Sequence, residues 1–353
     1  MRRYLWAAAL LTGCATTTSS APEGPTRIIL MIADGAGLAH WTLAVFADED
    51  LAIRQMKAVG LVDTRGSDHT VSGSAPTATA YATGLRSFMG AIGVGPDSTA
   101  AETVVEAALA RGMGTGLMTT TALADATPAA FGAHAVSRRS LGNISRQMST
   151  KGITVLMGGG RATFRPAMQP DSSDLLAEVR ESYTYVESLE ELRSLDPDTV
   201  ETLLGLFSEG DMGVVAERGT GLLDMTSTAI QILDRNPNGF FLLVENEESD
   251  TQSHGNADEA TITAEMVDFD AAVAIALDYQ ARNPETLVLV TGDHETGGIS
   301  LTYDANREIV MEYASGAHTG TLIPLFASGP GAERFGGIIE NYRVGEILLE
   351  MVR

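Results

Sequence analysis

The sequence predicts an α/β fold with a mainly parallel central β-sheet sandwiched between helices. Short, continuously apolar runs recur along its 353 residues, each bounded by glycine or polar residues. Continuous rather than alternating hydrophobicity marks strands buried on both faces, the pattern of parallel sheets covered by helices. Helix-like stretches separate the runs, and neither a repeat nor an interior linker divides them, so one large domain is expected.

Taken in order, the elements begin with an export signal. Arg2 and Arg3 form a short positive region, and Tyr4–Leu11 an apolar one too short to span a bilayer. Leu11-Thr12-Gly13-Cys14 resembles the bacterial lipobox, whose cysteine is lipidated and becomes the first residue of the mature protein. Residues 1–13 are thus expected to be a lipoprotein signal peptide and 14–27 a flexible tether, leaving 28–353 as the folded domain. The expected location is periplasmic or cell-surface, anchored to a membrane through lipidated Cys14. Cys14 is the only cysteine, which excludes disulfides and thiolate catalysis in that domain.

The apolar runs expected as strands are Ile29–Ala33, Gly116–Met118, Thr154–Met157, Phe240–Val244, Leu287–Val290 and Ile323–Ala327. Residues 171–235 have a helical rhythm (DLLAEVRES, SLEELRSL, DTVETLLGLF) and are expected to cover the sheet. Gly158–Gly160 read as a turn, because a Walker loop would need a following Lys and Ser/Thr. The chain carries 46 acidic and 23 basic residues, a formal charge of −23. No Lys/Arg-rich stripe exists to grip phosphates along a nucleic acid, so nucleic-acid binding is excluded. An anion bound to so acidic a chain needs local positive charge, for which metal ions are the usual source.

Ligands of open parallel sheets bind beyond the carboxyl ends of the strands. Three runs end in acids there: ILMIA in Asp34, FLLV in Glu245, and LVLVTG in Asp293-His294. Carboxylates sent to one edge repel one another unless cations sit among them. Asp250 and His254 are four apart, which places them on one face of a helical turn, and His318 stands in a Gly-flanked loop. Carboxylate with imidazole suits zinc, and carboxylate with hydroxyl suits magnesium. Spacing alone admits two readings, a two-zinc centre or scattered Asp and His on a solvated surface.

Six segments in one order carry a resemblance to the alkaline phosphatase family. They are IILMIADGAG around Asp34, SAPTATAYATG (74–84), DATPAAFGAHAVSR (125–138), GFFLLVE-x4-D-x3-H (239–254), VTGDHETGG (290–298) and HTG (318–320). The resemblance implies an alkaline-phosphatase-like fold and hydrolysis of phosphate monoesters through a phosphoserine, with two zinc ions and one magnesium. By position, Asp250, His254 and His318 would hold one zinc. Asp34, Asp293 and His294 would hold the other, together with the Ser74 oxygen. Asp34 would also reach a magnesium completed by Thr127, Glu245 and Asp125. Ser74 would attack in line, and Arg138 would clamp two phosphate oxygens. Residue chemistry alone leaves Ser72 as a rival nucleophile in VSGSAP; the ATAxxTG frame after Ser74 selects the latter, at a helix start that favours phosphate.

The chain also departs from the family pattern. Gly73 stands where relatives commonly place an Asp that orients the arginine, and Thr251 where bacterial members frequently have Lys; both imply weaker phosphate binding. Glu247 and Glu248 read as solvated surface acids, or alternatively as ligands of a further cation or a screen against highly anionic substrates. His40, His69 and His134 have no matched role and read as core or surface residues, the first two near the cleft. Only residues 295–317 separate His294 from His318, so no large crown insertion is expected, and a homodimer stays open. Two rival functions remain: a phosphodiesterase of the same superfamily, which would favour a Thr nucleophile without the arginine, and a non-catalytic, lipid-anchored metal- or phosphate-binding protein.

Overall fold

The computed structural model describes residues 24–353. The signal peptide, Cys14 and residues 14–23 of the tether lie outside the described residues. Fourteen strands follow in chain order: β1 (Arg27–Ala33), β2 (Ala58–Asp63), β3 (Gly114–Ala122), β4 (Val155–Gly159), β5 (Thr184–Val186), β6 (Leu203–Leu206), β7 (Phe240–Asn246), β8 (Thr286–Thr291), β9 (Glu295–Thr296), β10 (Ser300–Tyr303), β11 (Ile309–Glu312), β12 (His318–Thr319), β13 (Ile323–Ser328) and β14 (Gly337–Glu340). β1 thus starts at the last residue of the expected tether.

Ten strands form one sheet in the order β14-β2-β13-β8-β1-β7-β3-β4-β6-β5. Every neighbouring pair is parallel except the two made by β13, which runs antiparallel to β8 and β2. All six expected strands belong to this sheet. Alternate residues of β1 explain why its run is apolar without a break. Ile28, Leu30 and Ile32 pack on one face under the helices Ser74–Thr83, Val104–Ala110, Ala126–Gly132, Leu141–Thr150 and Asn341–Val352. Ile29, Met31 and Ala33 pack on the other under Leu38–Ala47, Gly221–Asp234 and Glu259–Arg282. Each fully buried Ile, Leu or Met contributes roughly 1.5–3 kcal/mol of transfer free energy, so a polar residue anywhere in β1 would be costly. Among the described residues no helix is long and apolar enough to cross a membrane.

The segment 171–235 differs from its expected reading. It supplies four helices, but also β5 and β6 at the sheet edge. DTVETLLGLF is not helical: a short 3₁₀ turn at Pro197–Thr199, capped by the Asp196 side chain, precedes the strand. All four residues of Leu-Leu-Gly-Leu are buried between β4 and β5, and a two-sided burial of four residues satisfies either periodicity. In place of a crown, β10 and β11 form a two-stranded antiparallel hairpin, and β9 pairs with β12. Gly158 and Gly159 end β4, and Gly160, with φ +83°, turns the chain into the next 3₁₀ segment.

Candidate active site

The three central strands β8, β1 and β7 end side by side. Ile32 is level with Glu245 on one side and Thr291 on the other, so Asp34, Glu245 and Asp293 leave the sheet at one edge. β13 runs the opposite way and begins at that edge, which brings His318, just ahead of it, to the same place. β2 and β3 also end there and lead into the helices that start at Ser74 and Ala126. The helix Glu248–His254 follows β7 and turns Asp250 and His254 toward one another, with His254 Nε2 3.3 Å from Asp250 Oδ2. Gly35 is required beneath it. Its φ is +68°, and a Cβ there would stand 2.6 Å from Asp250 Oδ1.

Two groups of three side chains have ligand-type atoms within 4.8 Å of one another: Asp34, Asp293 and His294, and Asp250, His294 and His318. His294 Nε2 is 3.3 Å from Asp34 Oδ1, 3.2 Å from Asp293 Oδ2 and 3.4 Å from Ser74 Oγ. His254 Nε2 adjoins the second group, 3.0 Å from His318 Nε2. Backbone carbonyls fix two of these rings: His254 Nδ1 lies 2.8 Å from Gly316 O, and His318 Nδ1 2.8 Å from Ser72 O. Donation from Nδ1 to these carbonyls suits metal ligation, because it would leave each Nε2 free to bind an ion. Ser72 itself pairs with Thr77 Oγ1 at 2.8 Å, whereas Ser74 Oγ lies beside His294 Nε2.

Charge in this pocket is poorly compensated by the protein alone. Burial pushes Glu245 up to about 8, and burial together with Asp293 and Asp250 holds Asp34 well above the usual carboxylate range. Asp250 is the exception. Burial opposes its charge, but bonding to His254 and the proximity of His294 and Thr296 hold it below the usual range. Asp34 Oδ1, Asp293 Oδ2, Glu245 Oε1 and Thr127 Oγ1 are buried without a hydrogen bond. Unpaired buried oxygens cost about 1–3 kcal/mol each, more when charged. Their convergence, with imidazole lone pairs alongside, fits a set of divalent cations.

Glu245 Oε2 accepts 2.6 Å from Thr119 Oγ1, a contact the sequence reading missed although the hydroxyl run Thr119–Thr121 closes β3. Thr296, also missed, donates to Asp250 and lies 3.2 Å from His294 Nδ1. Glu247 and Glu248 are not solvated: they are only 9% and 3% exposed. β7 continues through Asn246, so the chain is still inside the fold at both acids. Glu247 Oε1 accepts from Thr251 Oγ1 at 2.6 Å, and Glu248 Oε2 from Gln252 Nε2 at 2.9 Å. Asp125 belongs to neither group of three; both its oxygens accept from Arg138 Nη2, at 2.9 and 2.8 Å. His40 is buried and pairs with Ser253 at 3.0 Å, His69 with Asp68, and His134 with Glu106.

An open, mainly parallel sheet that gathers carboxylates and imidazoles around a buried serine defines a metal-dependent hydrolase class. The alkaline phosphatase family model matches residues 26–315. Alkaline phosphatase 3 of Bacillus subtilis (strain 168) is 32% identical over 297 residues, which cover 79% of this chain but only 63% of that protein's length. The alkaline phosphatase of Escherichia coli (strain K12) is 30% identical over 413 residues, covering 94% of this chain and 87% of that one. The solved alkaline phosphatase from the Antarctic bacterium TAB5 superposes with a TM-score of 0.86 at 33% identity, over 93% of this chain and 98% of that one. A variant of that enzyme has magnesium bound in its M3 site. The chain belongs to the alkaline phosphatase family, a family of metal-dependent phosphoric monoester hydrolases.

Proposed function

We propose that this chain hydrolyses phosphate monoesters through a phosphoserine at Ser74, with two zinc ions and one magnesium. The observation that carries the reading is the convergence of Asp34, Asp293 and Ser74 Oγ around His294 Nε2, with buried carboxylate oxygens left without a hydrogen bond. Asp250, His254 and His318 would hold one zinc and Asp34, Asp293 and His294 the other. Asp34, Glu245 and Thr127 offer the all-oxygen set that suits magnesium; the magnesium in the M3 site of the Antarctic variant supports this assignment. Bound there, the ions supply positive charge to the attacking and departing oxygens of an in-line displacement.

The chain's own residues do the rest. Ser74 Oγ, having lost its proton, bonds to phosphorus as the bond to the ester oxygen breaks, and the departing alcohol takes up a proton. Water then attacks the phosphoserine, the Oγ–P bond breaks, and Ser74 and inorganic phosphate are restored. Gly73 caps the ten-residue helix that opens at Ser74, so the helix's unpaired N–H groups face the phosphate. Arg138 presents the planar donors that suit two equatorial oxygens. A lipid on Cys14 would add a periplasmic or cell-surface location to this reading.

The test is p-nitrophenyl phosphate hydrolysis by the purified protein at alkaline pH, before and after EDTA, with zinc and magnesium restored, beside Ser74→Ala. Activity that the metals restore and Ser74→Ala abolishes is expected, with a phosphorylated Ser74 trapped at acid pH and read by mass spectrometry. Undiminished activity in Ser74→Ala would overturn the phosphoserine. Inactivity of the metal-loaded chain on monoesters, with turnover of bis(p-nitrophenyl) phosphate, would favour a diesterase.

A further inference from the structure

We propose that His40, which hydrogen-bonds to neither Ser74 nor any candidate metal ligand, is a positioning residue that holds the two zinc sites at one separation. The inference rests on the proposed ligand sets, which divide between two pieces of chain. Asp34 stands in the loop after β1, and Asp250 and His254 stand on the helix Glu248–His254. His40 joins the two. Gly37 N–H donates to its Nδ1 at 3.2 Å, and its Nε2 is 3.0 Å from Ser253 Oγ. The partners fix the direction of that second bond. Nδ1 accepts, so the proton of the neutral ring is on Nε2. The single hydroxyl proton of Ser253 goes to Ser249 O at 2.7 Å, so Ser253 Oγ receives from His40. Ser249 Oγ in turn donates to Asp34 O at 2.6 Å and closes the circuit on the loop.

The whole circuit is inside the protein: His40, Ser249, Ser253 and Asp34 are all buried. Burial drives the imidazole down to about 4, against a weaker upward pull from Asp250, so the ring is uncharged and keeps one proton to give. An uncharged donor ties loop to helix without adding a cation that would compete for the carboxylates. The loop has little slack where the link is made, since Gly35 passes so close to Asp250 that a Cβ would stand 2.6 Å from its Oδ1. The link is made on the helix at Ser253, next to His254 and three residues from Asp250. Without it the short helix is free to shift against the loop, and the ligands of one set shift against those of the other. Partners outside the ligand shell set metal affinity in this way, by fixing where the ligands stand.

The experiment uses the full chain as wild type, His40→Gln, His40→Asn, Ser253→Ala and the double variant of the last two. The Asn oxygen replaces Nδ1 and still receives the Gly37 N–H, but the side chain stops short of Ser253. The Gln amide nitrogen replaces Nε2 and keeps that reach. Both are uncharged and polar, so their difference isolates the bond to Ser253. Zinc is titrated into the metal-free proteins against a fluorescent chelator, which gives an affinity for each of two ions without turnover. The weaker zinc is expected to bind about tenfold less tightly in His40→Asn and in Ser253→Ala, with most of that loss absent in His40→Gln. The double variant is expected to be no worse than either single change, because both cut one link. Wild-type affinity in His40→Asn would overturn the inference, as would equal losses in His40→Asn and His40→Gln, or losses that add in the double variant. If His40→Asn does not fold, Ser253→Ala alone reads the link, and wild-type zinc affinity there overturns it. A wild-type chain that binds two zinc ions but releases no p-nitrophenol from its phosphate ester would overturn the proposed reaction and leave the zinc titration readable.

Discussion

His318 Nδ1 lies 2.8 Å from the carbonyl oxygen of Ser72, two residues before Ser74. One histidine thereby ties the loop that carries the serine to the histidine and carboxylate cluster, since its Nε2 is 3.0 Å from that of His254 and 3.8 Å from Asp250 Oδ1. The bond fixes the ring and the loop together, so neither can drift without the other.

His318→Ala is therefore expected to do two separable things. Zinc content should fall by about one ion per chain, with activity down at least roughly a hundredfold. Amide exchange across residues 70–74 should also quicken even in protein saturated with zinc, because the Ser72 carbonyl has lost its donor. Elemental analysis and exchange mass spectrometry read the two effects. Unchanged exchange in that segment would show that the Ser72 contact does not hold the loop.

Gly73→Asp is expected to give Arg138 a second carboxylate and to tighten inhibition by inorganic phosphate several-fold. The backbone allows it: φ is −144° at Gly73, an extended conformation open to any residue, and the new Cβ asks Met89 to give way by only a few tenths of an ångström. The measurement is the inhibition constant for phosphate in the steady-state assay. An unchanged constant would mean that residue 73 does not face the arginine.

Stability should carry a pH signature away from the active site. Glu106 accepts 2.8 Å from His134 Nε2 and also from Lys151. Burial works against its charge, yet these two donors hold Glu106 down at about 2. The bond to Glu106, against an opposing burial effect, raises His134 above its ordinary value. A raised imidazole contributes fully below the unfolded value near 6.5 and loses that contribution as pH climbs through the folded one. A depressed carboxyl contributes above about 4.5 and loses it as pH falls toward the folded value. The contact is thus complete between about pH 4.5 and 6.5. His134→Gln is expected to cost roughly 1–2 kcal/mol in urea melts at pH 6 and clearly less at pH 9. An equal cost at both would show that no imidazolium contributes.

The central strands were legible because β1, β7 and β8 are buried on both faces and so spell out unbroken apolar runs. Their acids were legible for the same reason, since a carboxylate right after such a run has to leave at the sheet edge. His318 follows a different rule. It precedes a strand, and it reaches the site only because β13 is reversed, which no local pattern encodes. Leu203–Leu206 was hidden by its shortness, and the burial of Glu247 and Glu248 by the extension of β7 through Asn246. The bond between Arg138 and Asp125 joins residues 13 apart across a helix and a loop; motif spacing located both ends but said nothing about their contact.

The chain enters the sheet at Arg27, whose guanidinium is held by Asp234 and Glu285, and seven residues later delivers Asp34 to the opposite edge. At about 3.3 Å per residue, β1 sets roughly 23 Å of packed protein between the point of entry and Asp34. The described chain thus begins on the side of the sheet opposite the edge where Asp34, Glu245 and Asp293 gather, so a label or partner joined near Gly24 leaves that edge unobstructed.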